Sequence, residues 1–116
     1  MNLSNIEQGE VVVADLFYSN QVGVKRRLAL VISSSKYNAH SADVVLAKIT
    51  SQSGVTFYDV PIANVHMEKK MLAKDSMIMV DFPMTVEKEL VVQRLDKLKP
   101  EKLAEVKQKL KAFFDL

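Results

Sequence analysis

The sequence predicts a mainly β, α+β domain: a small, curved, partly open barrel of about five short strands closed by one C-terminal helix. Three observations carry this expectation. Runs of β-branched and aromatic residues of strand length recur between polar turns. No strand–helix–strand alternation appears, which argues against a doubly wound sheet. Only the C-terminus spaces its apolar residues at three- and four-residue steps.

The first strand follows Gly9-Glu10 and runs from Val11 to Tyr18. A polar stretch from Ser19 to Val24 then forms a mobile loop, and Leu28-Ala29-Leu30-Val31-Ile32 completes a hairpin. After turn-rich residues 33–41, Asp43 to Thr50 reads as a strand with Thr50 at its end. Ser51-Gln52-Ser53-Gly54 makes the next turn, and Val55 to Val60 a further strand. Residues 64–74 form a polar connection with one helical turn, and Ser76 to Asp81 reads as the last long strand, ending before Phe82-Pro83. Residues 87–95 carry a short irregular element that the pattern does not assign. Pro100 stands at a preferred first helical position, and Leu103, Val106, Leu110 and Phe113 give the following helix one apolar face.

At 116 residues the chain is read as one domain, spanning residues 1–116, with a single core. It has no cysteine, so disulfides, thiolate nucleophiles and cysteine-held metals are excluded. Residues 1–8 lack the order of a signal peptide and no apolar run is long enough to span a bilayer, so a cytoplasmic protein without a membrane partner is expected. No phosphate-binding glycine loop, zinc-protease helix, calcium loop or nucleophile elbow is present. The two histidines, His40 and His66, lie far apart in polar segments, so neither receives a role and no metal or cofactor is expected.

A net charge of +2 says little about a polyanion partner, but its distribution says more. Lysine and glutamate alternate along the C-terminal helix as on a solvated face, whereas Lys25-Arg26-Arg27 is an unbroken cluster entering an apolar strand. That place suits phosphate, to which a guanidinium gives a two-pronged, charge-assisted contact. Taken singly, the cluster also reads as solvated gatekeepers, Thr50 as an ordinary strand residue, and Asp81 as a turn cap.

The order of these pieces resembles the MazF/PemK/Kid toxins. Gly9-Glu10-Val11-Val12-Val13-Ala14-Asp15 is similar to that family's Gly-Asp-(apolar)3-Asp opening, and Arg27-Leu28-Ala29-Leu30-Val31-Ile32 to its Arg-Pro-(apolar)4. Thr50 falls at its strand-end threonine or serine, Asp75-Ser76-Met77-Ile78-Met79-Val80-Asp81 looks like its later Asp-Ser-(apolar) strand, and Leu95-Asp96-Lys97-Leu98 its closing segment. The likeness covers about residues 9–114.

The resemblance implies an SH3-like, CcdB/PemK-type partly open barrel and a cytoplasmic toxin of a toxin–antitoxin pair. Such a toxin is a homodimer that cleaves single-stranded RNA by metal-independent attack of the RNA 2′-hydroxyl. It implies a cognate antitoxin as partner, and contact of the toxin–antitoxin complex with DNA through that antitoxin. Catalytic roles would fall on Arg27 as charge stabiliser, Thr50 as donor to a phosphate oxygen and Asp81 as base. Lys25, Arg26, Ser19, Asn20 and Ser51 would hold flanking RNA, with residues 19–24 as a lid. Three departures stand out: Leu28 replaces the usual proline, Gly23 is the loop's one glycine, and Met79 stands where some members place a second catalytic arginine. The alternatives are a non-catalytic CcdB-like binding protein, or an inactive β-barrel interaction module.

Overall fold

The computed structural model describes residues 5–17, 23–52 and 56–116. The β-branched run after Gly9 forms β1 (Glu10–Leu16), paired antiparallel with β2 (Lys25–Val31), so that Val11 faces Leu30 and Leu16 faces Lys25. The basic cluster is therefore strand rather than loop. Within residues 33–41 the turn-rich composition resolves into α1 (Ser35–His40), because the Ser34 hydroxyl accepts the Tyr37 amide at 3.1 Å as an N-cap.

β3 (Asp43–Thr50) ends where expected. β4 is Asp59–Ile62, later than expected; Thr56 to Tyr58 are not strand, and the Asp59 carboxylate instead accepts the Thr56 amide at 2.8 Å. One 3-10 turn follows at Asn64–His66. β5 (Ser76–Glu87) corrects the expectation that Asp81 ends a strand, since it runs on through Phe82 and Pro83. Ala47 of β3 faces Pro83, but the next residue, Lys48, faces Met79, so residues 80–82 bulge out without partners on β3. A bulge is a place where a sheet accepts proline. The unassigned region holds a 3-10 turn at Lys88–Leu90 and β6 (Val91–Lys97), making six strands in the order β4-β5-β3-β2-β1-β6. α2 (Pro100–Phe114) ends the chain, with Pro100 opening the helix.

The sheet curls until its two edges nearly meet. Beyond β4 and β6, the Glu68 amide donates to the Lys97 carbonyl and the Lys99 amide to the His66 carbonyl, both at 2.9 Å. The buried Asp96 carboxylate accepts the amides of Lys69 and Met71 at 2.8 Å each, which ties the connection before β5 to β6. Arg94 of β6 grips the buried Glu10 of β1 with two contacts of 2.6 and 2.7 Å, and this pairing raises Arg94 above its ordinary pKa.

Val11, Leu30, Ala47, Ile49, Ile78 and Val80 fill the inside of the curl under α2, whose Val106, Leu103 and Leu110 pack against them. Each fully buried valine, leucine or isoleucine among them contributes about 1.5–3 kcal/mol. Gly9, at φ +95°, lets α2 approach closely: a Cβ there would lie 2.9 Å from Leu103 Cδ2. A second cluster, including Ile6, Val12, Ala29, Val31, Val44 and Leu46, covers part of the opposite face.

Candidate active site

Strand alternation sorts the functional candidates. Leu30 lies in the core under α2, whereas Ala29 and Val31 lie in the opposite cluster. Arg27 and Lys25 therefore share the face of Ala29 and Val31, and Arg26 points the other way. By the same reasoning Lys48 and Thr50 share the face of Leu46. Met77 and Met79 lie on it too, because Ile78 and Val80 occupy the core, while Asp81 sits within the bulge at residues 80–82.

Pairing then brings these residues side by side. The β2–β3 ladder runs from Val31 opposite Leu46 to Ala29 opposite Lys48. Continuing this register two residues brings Arg27 opposite Thr50. On β3's other side Thr50 faces Met77 and Lys48 faces Met79. Arg27 and Thr50, distant in sequence, so share one face of the sheet, with Asp81 in the bulge of the adjoining β5.

Each has a defined state. Arg27 is half-buried, its Nη1 donating to the Arg26 carbonyl at 3.2 Å. Thr50 Oγ1 accepts the Gln52 amide at 3.2 Å, which leaves its O–H to donate outward. Asp81, lifted by the bulge, is half-buried, and its Oδ1 is enclosed with no hydrogen-bond partner. Such an oxygen can accept a hydrogen bond. Lys25 is exposed at the mouth of β2 and Ser51 is exposed just past Thr50. Arg26 is instead engaged by Asp15, Nε to Oδ1 at 3.0 Å, on the face away from Arg27. That hydrogen bond raises its pKa above the ordinary guanidinium value. Ser19 and Asn20, with most of the expected lid, lie outside the described residues.

Sequence reasoning missed two neighbours. A cleft of about 370 Å³ opens beside Thr50, lined also by Ser51, Gln52, Pro61, His66 and Met77. His66 Nδ1 accepts the Ala63 amide at 3.0 Å, so the neutral ring carries its proton on Nε2. Nothing in the primary structure links His66 to Thr50. Lys48 was more legible, since a residue two before Thr50 in a strand shares its face. Phe17 and Phe82 are exposed, and such rings can stack on unpaired bases. Among the described residues no cluster of three His, Cys, Asp or Glu is placed to hold a metal ion.

A curled antiparallel sheet closed by a C-terminal helix, with cations, a hydroxyl and a carboxylate on its neighbouring strands, defines a small, mainly β protein. Over residues 7–114 the sequence matches the family described as PemK-like, MazF-like toxin of type II toxin-antitoxin system, and the chain belongs to that family. No curated protein matches it in sequence. Among solved structures it resembles MazF of the MazE-MazF complex from Deinococcus radiodurans (TM-score 0.77, 21% identity, 97% of this chain and 98% of that one). It is similar to the Mycobacterium tuberculosis toxin MazF-mt6 (TM-score 0.76, 20% identity, 92% and 97%). A mycobacterial endoribonuclease in complex with its cognate antitoxin matches at TM-score 0.77 and 19% identity over 96% of each chain. At these identities the likeness establishes the fold.

Proposed function

We propose that the chain is the toxin of a toxin–antitoxin pair and an endoribonuclease that cleaves single-stranded RNA. The reading is supported by alternation and pairing: Arg27 and Thr50 fall on the same face of neighbouring strands, just past the Ala29–Lys48 pair, and Asp81, on the strand beyond, has an enclosed oxygen with no protein partner. The RNA 2′-hydroxyl gives its proton to Asp81 and attacks the adjacent phosphorus. Arg27 stabilises the charge on the phosphorane and helps protonate the departing 5′-oxygen, while the Thr50 hydroxyl donates to a phosphate oxygen. The bond from phosphorus to the 5′-oxygen breaks, leaving a 2′,3′-cyclic phosphate. Lys25 and Ser51 hold flanking RNA, and the cleft beside Thr50 receives a neighbouring base. The matching family is the PemK-like, MazF-like one, which favours catalysis over the CcdB-like binding alternative.

Purified protein is expected to cut a long single-stranded RNA in EDTA and to leave cyclic-phosphate ends. Intact RNA, or cleavage only on adding a divalent metal, would overturn this mechanism.

The partners follow the same reading. Similar toxins are seen bound to antitoxin, so a cognate antitoxin is the expected protein partner, with any DNA contact made through it, in the cytoplasm where messenger RNA is available. A homodimer would cover exposed sheet and place two basic strands along one groove. Sedimentation should give about twice 13.1 kDa, and a strict monomer at micromolar concentration would remove the shared groove.

A further inference from the structure

Phosphoryl transfer gathers negative charge on more than one phosphate oxygen, and a single guanidinium leaves part of it uncovered. Arg26 is turned to the opposite face and held by Asp15, and Lys25 stands at the exposed strand mouth, beyond Arg27. Where the resemblance places a second arginine, this chain has Met79.

The sheet supplies a cation from the facing strand. One row across four strands reads Ala29, Lys48, Met79, Asp59, and the next reads Arg27, Thr50, Met77, Pro61 once the β2–β3 register is continued. Directly opposed residues have Cβ atoms about 5 Å apart and diagonal neighbours lie at about 7–8 Å, so Lys48 is adjacent to Met79 and Thr50 and diagonal to Arg27. Its ammonium sits 5.0 Å from the centroid of the Phe82 ring, which immediately follows Asp81 in the bulge. Lys48 is half-buried and Phe82 partly exposed, so the ring can steady the charge close to Asp81.

From this placement, and resting on the ribonuclease reading above, we propose that Lys48 is a second catalytic cation of this site. It contacts a non-bridging oxygen of the scissile phosphate from the Asp81 side while Arg27 and Thr50 engage the other side. Lys48 stays protonated throughout, and the proton transfers remain those already described. A lysine is a flexible point charge without the two-pronged geometry of arginine, so the site gains charge here and keeps its planar fork at Arg27.

The test is single-turnover cleavage at saturating RNA, with RNA affinity and thermal melts measured in parallel. Lys48→Met, which keeps the apolar stem, should lose at least about tenfold in rate with an unchanged melting temperature. Met79→Arg added to Lys48→Met should recover most of that loss, because it returns a cation to the position facing residue 48. A purely structural lysine would not be rescued from across the ladder. Lys48→Met cutting at the full wild-type rate overturns the proposal. So does a loss confined to RNA affinity, which makes Lys48 a flanking contact, or a loss that tracks a lowered melting temperature and is not restored by Met79→Arg. Failure of the wild-type protein to cut RNA in EDTA is a separate result: it overturns the ribonuclease reading itself, and Lys48's catalytic role with it.

Discussion

Replacing Arg27 by alanine is expected to slow single-turnover RNA cleavage about a hundredfold, the loss that follows removal of one preorganised charge donor, on the order of 3 kcal/mol. Arg27 is half-buried on β2, and its Nη1 donates to the Arg26 carbonyl at 3.2 Å, which helps hold the guanidinium in place. Thr50→Val keeps the shape and removes the hydroxyl, so it should also cost activity. The bond its hydroxyl accepts from the exposed Gln52 amide is a small loss to folding. Lys25→Ala serves as the contrast. Being fully exposed at the strand mouth, it should weaken RNA binding and flatten its salt dependence while sparing the chemical step. Thermal melts distinguish lost catalysis from lost folding. Full cleavage by both Arg27→Ala and Thr50→Val would remove the site from this face.

An RNA carrying a single 2′-deoxy residue at the cut is expected to remain whole while its all-ribose parent is consumed. In the proposed mechanism the attacking group is the substrate's own 2′-hydroxyl, and without it Asp81 would have no proton to accept and Arg27 no phosphorane to stabilise. The same residue placed one nucleotide away should leave cutting intact, because flanking contacts are made to phosphates and bases. Equal cutting of the substituted and parent RNAs would mean that the nucleophile comes from water or the protein, and Asp81 would then need another role.

How much of this was readable beforehand depended on the range of the interaction responsible. Local chemistry was legible. β-branched runs marked β1 and β3, Pro100 with its three- and four-residue apolar spacing marked α2, and the order of glycine, arginine and threonine pointed to the family. The ends of β5 and the whole of β6 were not legible. A proline reads as a stop until the β3 partner shows residues 80–82 bulging past it, and β6 is held as a strand by pairing with β1 and by Arg94 on Glu10.

The sequence by itself determined which chemistry is present: an arginine, a threonine, a carboxylate and lysines, with no thiol, on a mainly β chain closed by a helix. Only the tertiary structure decided which of these groups meet. Alternation and register are properties of pairs of strands, so they turned Arg26 onto Asp15 and away from Arg27. They also set Lys48 across from Met79, and the bulge took Asp81 out of the β3 ladder with one enclosed oxygen lacking a protein partner.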